Sequence, residues 1–118
     1  GHVLSKMRFL TAQFEALLEG DYWLELARHA NAMAQRLARS VETAGCRLAW
    51  PCEANEVFVI APSARVESWR ARGLKAHRWT DMAYAGTLAP GEEIIRLVTS
   101  FATTLESVEA IGALFRDA

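Results

Sequence analysis

The sequence predicts an α+β protein: a helical arm, then a small, mostly antiparallel sheet with helices packed on one face. Three observations carry this expectation. Apolar residues recur at three- and four-residue steps as far as Val41, the helical period. After Gly45 the period changes to about two, and short β-branched runs alternate with turn residues. A helical pattern returns in the last stretch, behind threonines suited to capping. The resulting order is α-α-β-β-α-β-β-α, the segregated pattern of an α+β layer. We divide the chain into residues 1–44, the arm, and 45–118, the small domain.

Val3, Met7, Leu10, Phe14, Leu17 and Leu18 form one stripe of a first helix that ends near Gly20. Lys6 and Arg8 lie in its first turn, where the helix dipole favours anions, a placement that suits an anion bound there. Asp21 caps a second helix with Trp23, Leu26, Ala27, Ala30, Met33, Ala34, Leu37 and Val41 inward, and Gly45 stops it. Cys46–Trp50 and Glu56–Ala61 read as strands around Pro51. Pro62-Ser63 opens a short helix with Val66 and Trp69 inward, closed by Gly73. Leu74–Trp79 reads as a strand, and residues 80–92, with Gly86, Pro90 and Gly91, as a loop. Ile94–Phe101 is the next strand. Thr103-Thr104-Leu105-Glu106 is a capping box for a last helix that buries Leu105, Val108, Ile111 and Phe115.

Composition narrows the function classes. The 118 residues are 52% hydrophobic and 23% charged with a net charge of −1, which offers no basic excess for nucleic acid. No apolar run approaches the roughly 20 residues of a membrane span, and no signal-peptide pattern opens the chain. The reading is a cytoplasmic protein. Cys46 and Cys52 lack neighbouring metal ligands and read as free thiols. His2, His29 and His77 are too scattered for a metal centre. No phosphate loop, nucleophile elbow or triad spacing is present.

Two arginines stand out. Arg96 sits inside Ile-Ile-Arg-Leu-Val, where alternation puts Ile94, Arg96, Val98 and Ser100 on one face and Ile95, Leu97, Thr99 and Phe101 on the other. A guanidinium keeps its charge, so burial demands an anionic or carbonyl partner. At a strand edge it could snorkel to solvent or pair with Glu92 or Glu93; otherwise it waits for the carboxylate of a small ligand. Arg8 is the second, at the start of the first helix. Lysines are scarce: only Lys6 and Lys75 are present.

Four segments together resemble a known family: Ser5-Lys6-Met7-Arg8-Phe9-Leu10, Trp23 to Ala34, Ala54-Asn55-Glu56-Val57-Phe58, and Ile95 to Phe101. In this order they are similar to the C-terminal part of the low-specificity L-threonine aldolases, pyridoxal-phosphate lyases of fold type I. The resemblance implies cleavage of β-hydroxy amino acids to glycine and an aldehyde, and a homo-oligomeric enzyme with a separate large cofactor domain. It implies that Arg96 binds the substrate carboxylate and that Arg8 reaches the cofactor phosphate of a second subunit. The lysine, the ring-stacking histidine and the pyridine-pairing aspartate of the family belong to segments that have no match in these 118 residues. The expectation is therefore that this chain alone is inactive and does not hold the cofactor. Two alternatives stay open: the same fold in a β-eliminating lyase or aminotransferase, and a stand-alone interaction module that dimerises through its helical arm.

Overall fold

The computed structural model describes residues 22–117. The expected first helix, with Lys6 and Arg8, and the Asp21 cap lie outside these residues. Three helices and four strands follow in the order α1 (Tyr22–Thr43), β1 (Arg47–Leu48), β2 (Glu56–Pro62), α2 (Ser63–Ala71), β3 (His77–Trp79), β4 (Glu92–Val98) and α3 (Leu105–Arg116). The strands form one antiparallel sheet in the order β1-β2-β4-β3. The α+β architecture read from the sequence is the architecture found.

α1 buries Ala30, Met33, Ala34, Leu37, Ala38 and Val41. The sequence stripe begins too early, because the core starts at Ala30: Trp23 is 47% exposed and Ala27 is also exposed. The helix ends in a double hydrogen-bonded turn, Gly45 N–H to Glu42 O at 3.0 Å and Cys46 N–H to Val41 O at 3.1 Å. This turn requires a left-handed residue, and Gly45 supplies φ +89°. α2 ends the same way, with Gly73 at φ +105°, its N–H on Arg70 O and the Leu74 N–H on Trp69 O, both 3.0 Å.

Backbone groups spent elsewhere shorten two expected strands. The Leu74 N–H closes α2, and Ala76 O accepts the Arg70 guanidinium at 3.0 Å, so pairing starts only at His77 rather than at Leu74. β1 keeps two residues of the expected Cys46–Trp50; the Ala49 N–H still reaches Phe58 O, after which Trp50 turns to pack edge-on against the Phe58 ring. β4 begins two residues earlier than expected, since Glu92 and Glu93 pair with Pro62 and Ala61. It ends at Val98, where Asn55 takes over the ladder. Asn55 O accepts the Thr99 N–H at 2.9 Å, and the Asn55 side chain donates to Thr99 O at 2.8 Å. Phe101 is consequently outside the sheet and 64% exposed. The α3 cap is one residue later than the expected box: Thr104 accepts the Ser107 N–H at 3.1 Å, while Thr103 accepts the Ser100 N–H. Leu105, expected inside, is 41% exposed.

One face of the sheet carries the core. Val57, Val59, Ala61, Ile95 and Leu97 pack with Met33, Leu37 and Val41 of α1, Val66 and Trp69 of α2, and Val108 and Phe115 of α3. Trp69 and Phe115 stack with centroids 4.0 Å apart. Thr99, also buried, donates its hydroxyl to Ala30 O at 2.6 Å and ties the end of β4 to α1. With all three described helices on this side, no helix among the described residues covers the opposite face, called helix-free below.

Candidate functional site: an arginine on the helix-free face

Alternation sends Glu56, Phe58 and Ile60 of β2, Ile94, Arg96 and Val98 of β4, and His77 and Trp79 of β3 to the helix-free face. The register arranges them in rows: Arg47, Ile60, Ile94 and Trp79 in one, then Phe58, Arg96 and His77, then Glu56 and Val98. Arg96 is thus in the interior of the sheet, flanked on both sides. Its own row is the centre of an aromatic surface. Trp50 meets Phe58 at 5.1 Å, Phe58 meets Trp79 at 5.5 Å, and Tyr84 from the long loop meets Trp50 at 5.9 Å.

The Arg96 guanidinium lies 4.6 Å from the centroid of the Trp79 ring, a cation–π contact that fixes its position. Its ion pair is with Glu56, at 3.8 Å. Neither of the expected glutamates serves it, for reasons visible in the register. Glu92 is taken by Arg47 at 2.9 Å and by the Ala89 N–H at 2.8 Å. Glu93 points to the helical face, where it accepts from the Ser63 hydroxyl at 2.7 Å and faces Arg70 at 3.8 Å.

A separation of 3.8 Å is too long for a charge-assisted hydrogen bond. Among the described residues Arg96 makes none, and its Nε is buried without a partner. The other partly buried arginines each make a hydrogen bond: Arg65 donates to Phe115 O at 2.8 Å, although its Nε too is buried without a partner, and Arg70 donates to Ala76 O. Arg96 is held in place yet keeps its donors, and 29% of its side chain is exposed. A planar fork with unspent donors on a partly dry aromatic surface is suited to a carboxylate.

Of the remaining candidates, His77 alone is placed at this centre among the described residues. Arg8 and Lys6 lie outside the described residues. Lys75 is exposed and lines the cleft between the end of α2 and α3, on the helical side. His29 is pinned to Thr103 O at 2.6 Å. His77 shares the Arg96 row, but no group of three metal-ligating residues forms among the described residues. Both cysteines are free. Burial pushes the Cys46 thiol up, partly offset by Arg65, and burial likewise raises Cys52. Sequence reasoning missed Glu56 and Trp79 as the neighbours of Arg96. Alternation in β2 and β3 carried that signal, but the pairing β2-β4-β3 was needed to use it.

No family model matches the chain. It is 36% identical over 113 residues to a low specificity L-threonine aldolase of Pseudomonas aeruginosa, covering 95% of this chain and 30% of that protein. A second low specificity L-threonine aldolase, from a Pseudomonas species, is 43% identical over 74 residues, 62% of this chain and 21% of that protein. Among solved structures, Leishmania major threonine aldolase aligns with a TM-score of 0.75 and 28% identity over 89% of this chain and 29% of that one. Sphingomonas wittichii serine palmitoyltransferase aligns with a TM-score of 0.61 and 20% identity over 76% of this chain and 23% of that one, a likeness of fold alone. The architecture is therefore that of the small α+β domain of fold-type-I pyridoxal-phosphate enzymes. Within that class the chain resembles the low-specificity L-threonine aldolases, and it spans about a third or less of the length of these relatives.

A pyridoxal phosphate would need a lysine and a phosphate cradle. On the helix-free face the described residues offer neither: Lys75 is on the other side, and Arg96 and Arg47 face Glu56 and Glu92 rather than a shared anion site. These residues do not fit the cofactor itself. The Arg96 fork matches a carboxylate group instead.

Proposed function

We propose that this chain is the small-domain portion of a pyridoxal-phosphate-dependent, threonine-aldolase-like lyase that converts β-hydroxy amino acids to glycine and an aldehyde in the cytoplasm. Residues 1–44 form the connection to a large cofactor domain, and residues 45–118 form the small domain that meets it and a second subunit. The electron sink for breaking the Cα–Cβ bond comes from the cofactor, held outside these residues. The segment described here binds and orients. Arg96 takes the substrate α-carboxylate as a bidentate, charge-assisted pair, and so sets the angle of the amino acid against the reacting centre. Arg8 reaches the cofactor phosphate of a neighbouring subunit. Without the lysine site, the chain by itself is inactive.

The observation that carries this reading is the unspent guanidinium of Arg96 on the helix-free face. The likeness to threonine aldolases supports it independently. The test is kcat/KM for threonine in the full-length protein carrying Arg96→Ala, with cofactor occupancy checked. Losing a charge-assisted contact costs about 1.5–3 kcal/mol, or roughly a tenfold to 150-fold fall. Arg96→Lys, a point charge without the fork, also lowers it. A change below about twofold in Arg96→Ala returns Arg96 to a merely structural role.

A further inference from the structure

We infer that Glu56 is the built-in counter-anion of the Arg96 site, a carboxylate that half-occupies the guanidinium until a ligand carboxylate displaces it. This rests on the reading of Arg96 as the carboxylate anchor. Four observations support it. Glu56 reaches Arg96 Nη1 at 3.8 Å, close enough to neutralise it but too far for a hydrogen bond. Its side chain is 40% exposed, so it can turn to water at little cost. The other acids near this strand are committed, Glu92 to Arg47 and the Ala89 amide, and Glu93 to Ser63 on the opposite face. Trp79 holds the guanidinium from the other direction, at 4.6 Å, so Arg96 keeps its seat after Glu56 leaves.

These facts separate two roles a neighbouring carboxylate can have. A glutamate that orients an arginine does so through short hydrogen bonds, as Glu92 does for Arg47 with contacts of 2.9 and 3.4 Å. Glu56 makes none with Arg96, and the orienting contact is the indole. What Glu56 contributes is charge. It lowers the energy of the free site, and a ligand must overcome that pairing to bind. Glu56 is thus a specificity residue acting through the charge of Arg96: it weakens all carboxylates somewhat, and ligands with a second negative charge more.

The experiment compares wild type, Glu56→Gln, Arg96→Ala and the double variant in the full-length holoenzyme. An exposed ion pair of this kind changes affinity by roughly two- to fivefold. Glu56→Gln is therefore expected to lower KM for threonine by that factor, with a smaller change in kcat. The calorimetric Kd for glycine, which presents the same carboxylate, falls in parallel. Glu56→Ser, which lacks the long side chain, gives the same direction. In the Arg96→Ala background the Glu56→Gln benefit disappears, because the two residues act as one unit. An unchanged or raised KM and glycine Kd in Glu56→Gln overturns the inference. So does a benefit of equal size without Arg96. If Arg96→Ala itself leaves KM and kcat/KM within twofold of wild type, the anchor reading beneath it fails instead.

Discussion

Thr99→Val tests how β4 is held against the helices. The hydroxyl has one proton and two acceptors in reach, Ala30 O at 2.6 Å and Asn55 O at 3.2 Å, and the shorter contact takes it. Valine matches threonine in shape and fills a site that is 2% exposed, so no cavity forms. The decisive question is whether an acceptor is orphaned. Ala30 O is a mid-helix carbonyl that keeps the amide four residues on, and Asn55 O keeps the Thr99 N–H at 2.9 Å. The loss is then that of one net hydrogen bond, about 1 kcal/mol, and not the 1–3 kcal/mol of a stranded polar group. In a domain of this size that lowers Tm by roughly 3–6 °C. Urea denaturation of wild type and Thr99→Val, followed by tryptophan fluorescence, measures it with an expected unchanged slope. Thr99→Ala, which also deletes a methyl, loses about 1 kcal/mol more. A loss above about 3 kcal/mol for valine would refute the accounting of acceptors, and no loss would show that the hydroxyl does not join β4 to α1.

Three further predictions concern pH, assembly and the cofactor. The Ala89 amide and then Arg47 hold the Glu92 carboxyl below its ordinary value, so the folded state binds its proton less readily than the unfolded state. Its contribution to stability is present above the usual carboxylate range and is lost as pH falls through the lowered value. Denaturation midpoints of wild type and Glu92→Gln should therefore converge at acid pH, and curves that stay parallel would refute the assignment. The isolated 118-residue chain should self-associate, since Trp23, Val98 and Phe101 are exposed, and should leave the absorption of added pyridoxal phosphate unchanged. Light scattering of a compact monomer, or a new stoichiometric absorption band, would count against these two expectations respectively.

Much of the fold was legible because it is written in periodicity. The stripe from Ala30 to Val41, the inward Val66 and Trp69, and the alternation through Ile94 to Val98 follow from residue spacing alone. What spacing could not show was where backbone groups are spent. Leu74 has strand composition, but its N–H belongs to the end of α2; Ser100 and Phe101 continue a strand pattern, but Asn55 and Thr103 have already closed it. Arg96 was legible as an anomaly, a fixed charge in an apolar run. Its partners were not. Glu92 and Glu93 are close in sequence, whereas Glu56 is close only through a strand pairing that crosses the chain, and Trp79 through a second one.

The two-sided use of β4 has a consequence for how this protein can change over evolutionary time. Ile95 and Leu97 belong to the core, and Arg96 between them belongs to the other face. Substitutions among Phe58, Trp79 and Tyr84 can reshape the surroundings of Arg96 while the helix-packed side stays intact. Insertion or deletion of one residue before Arg96 cannot be absorbed in that way. It would shift the strand by one step, drive the guanidinium under the helices and turn Ile95 outward. The surroundings of the strand can vary in letters, while the strand itself is closed to variation in length.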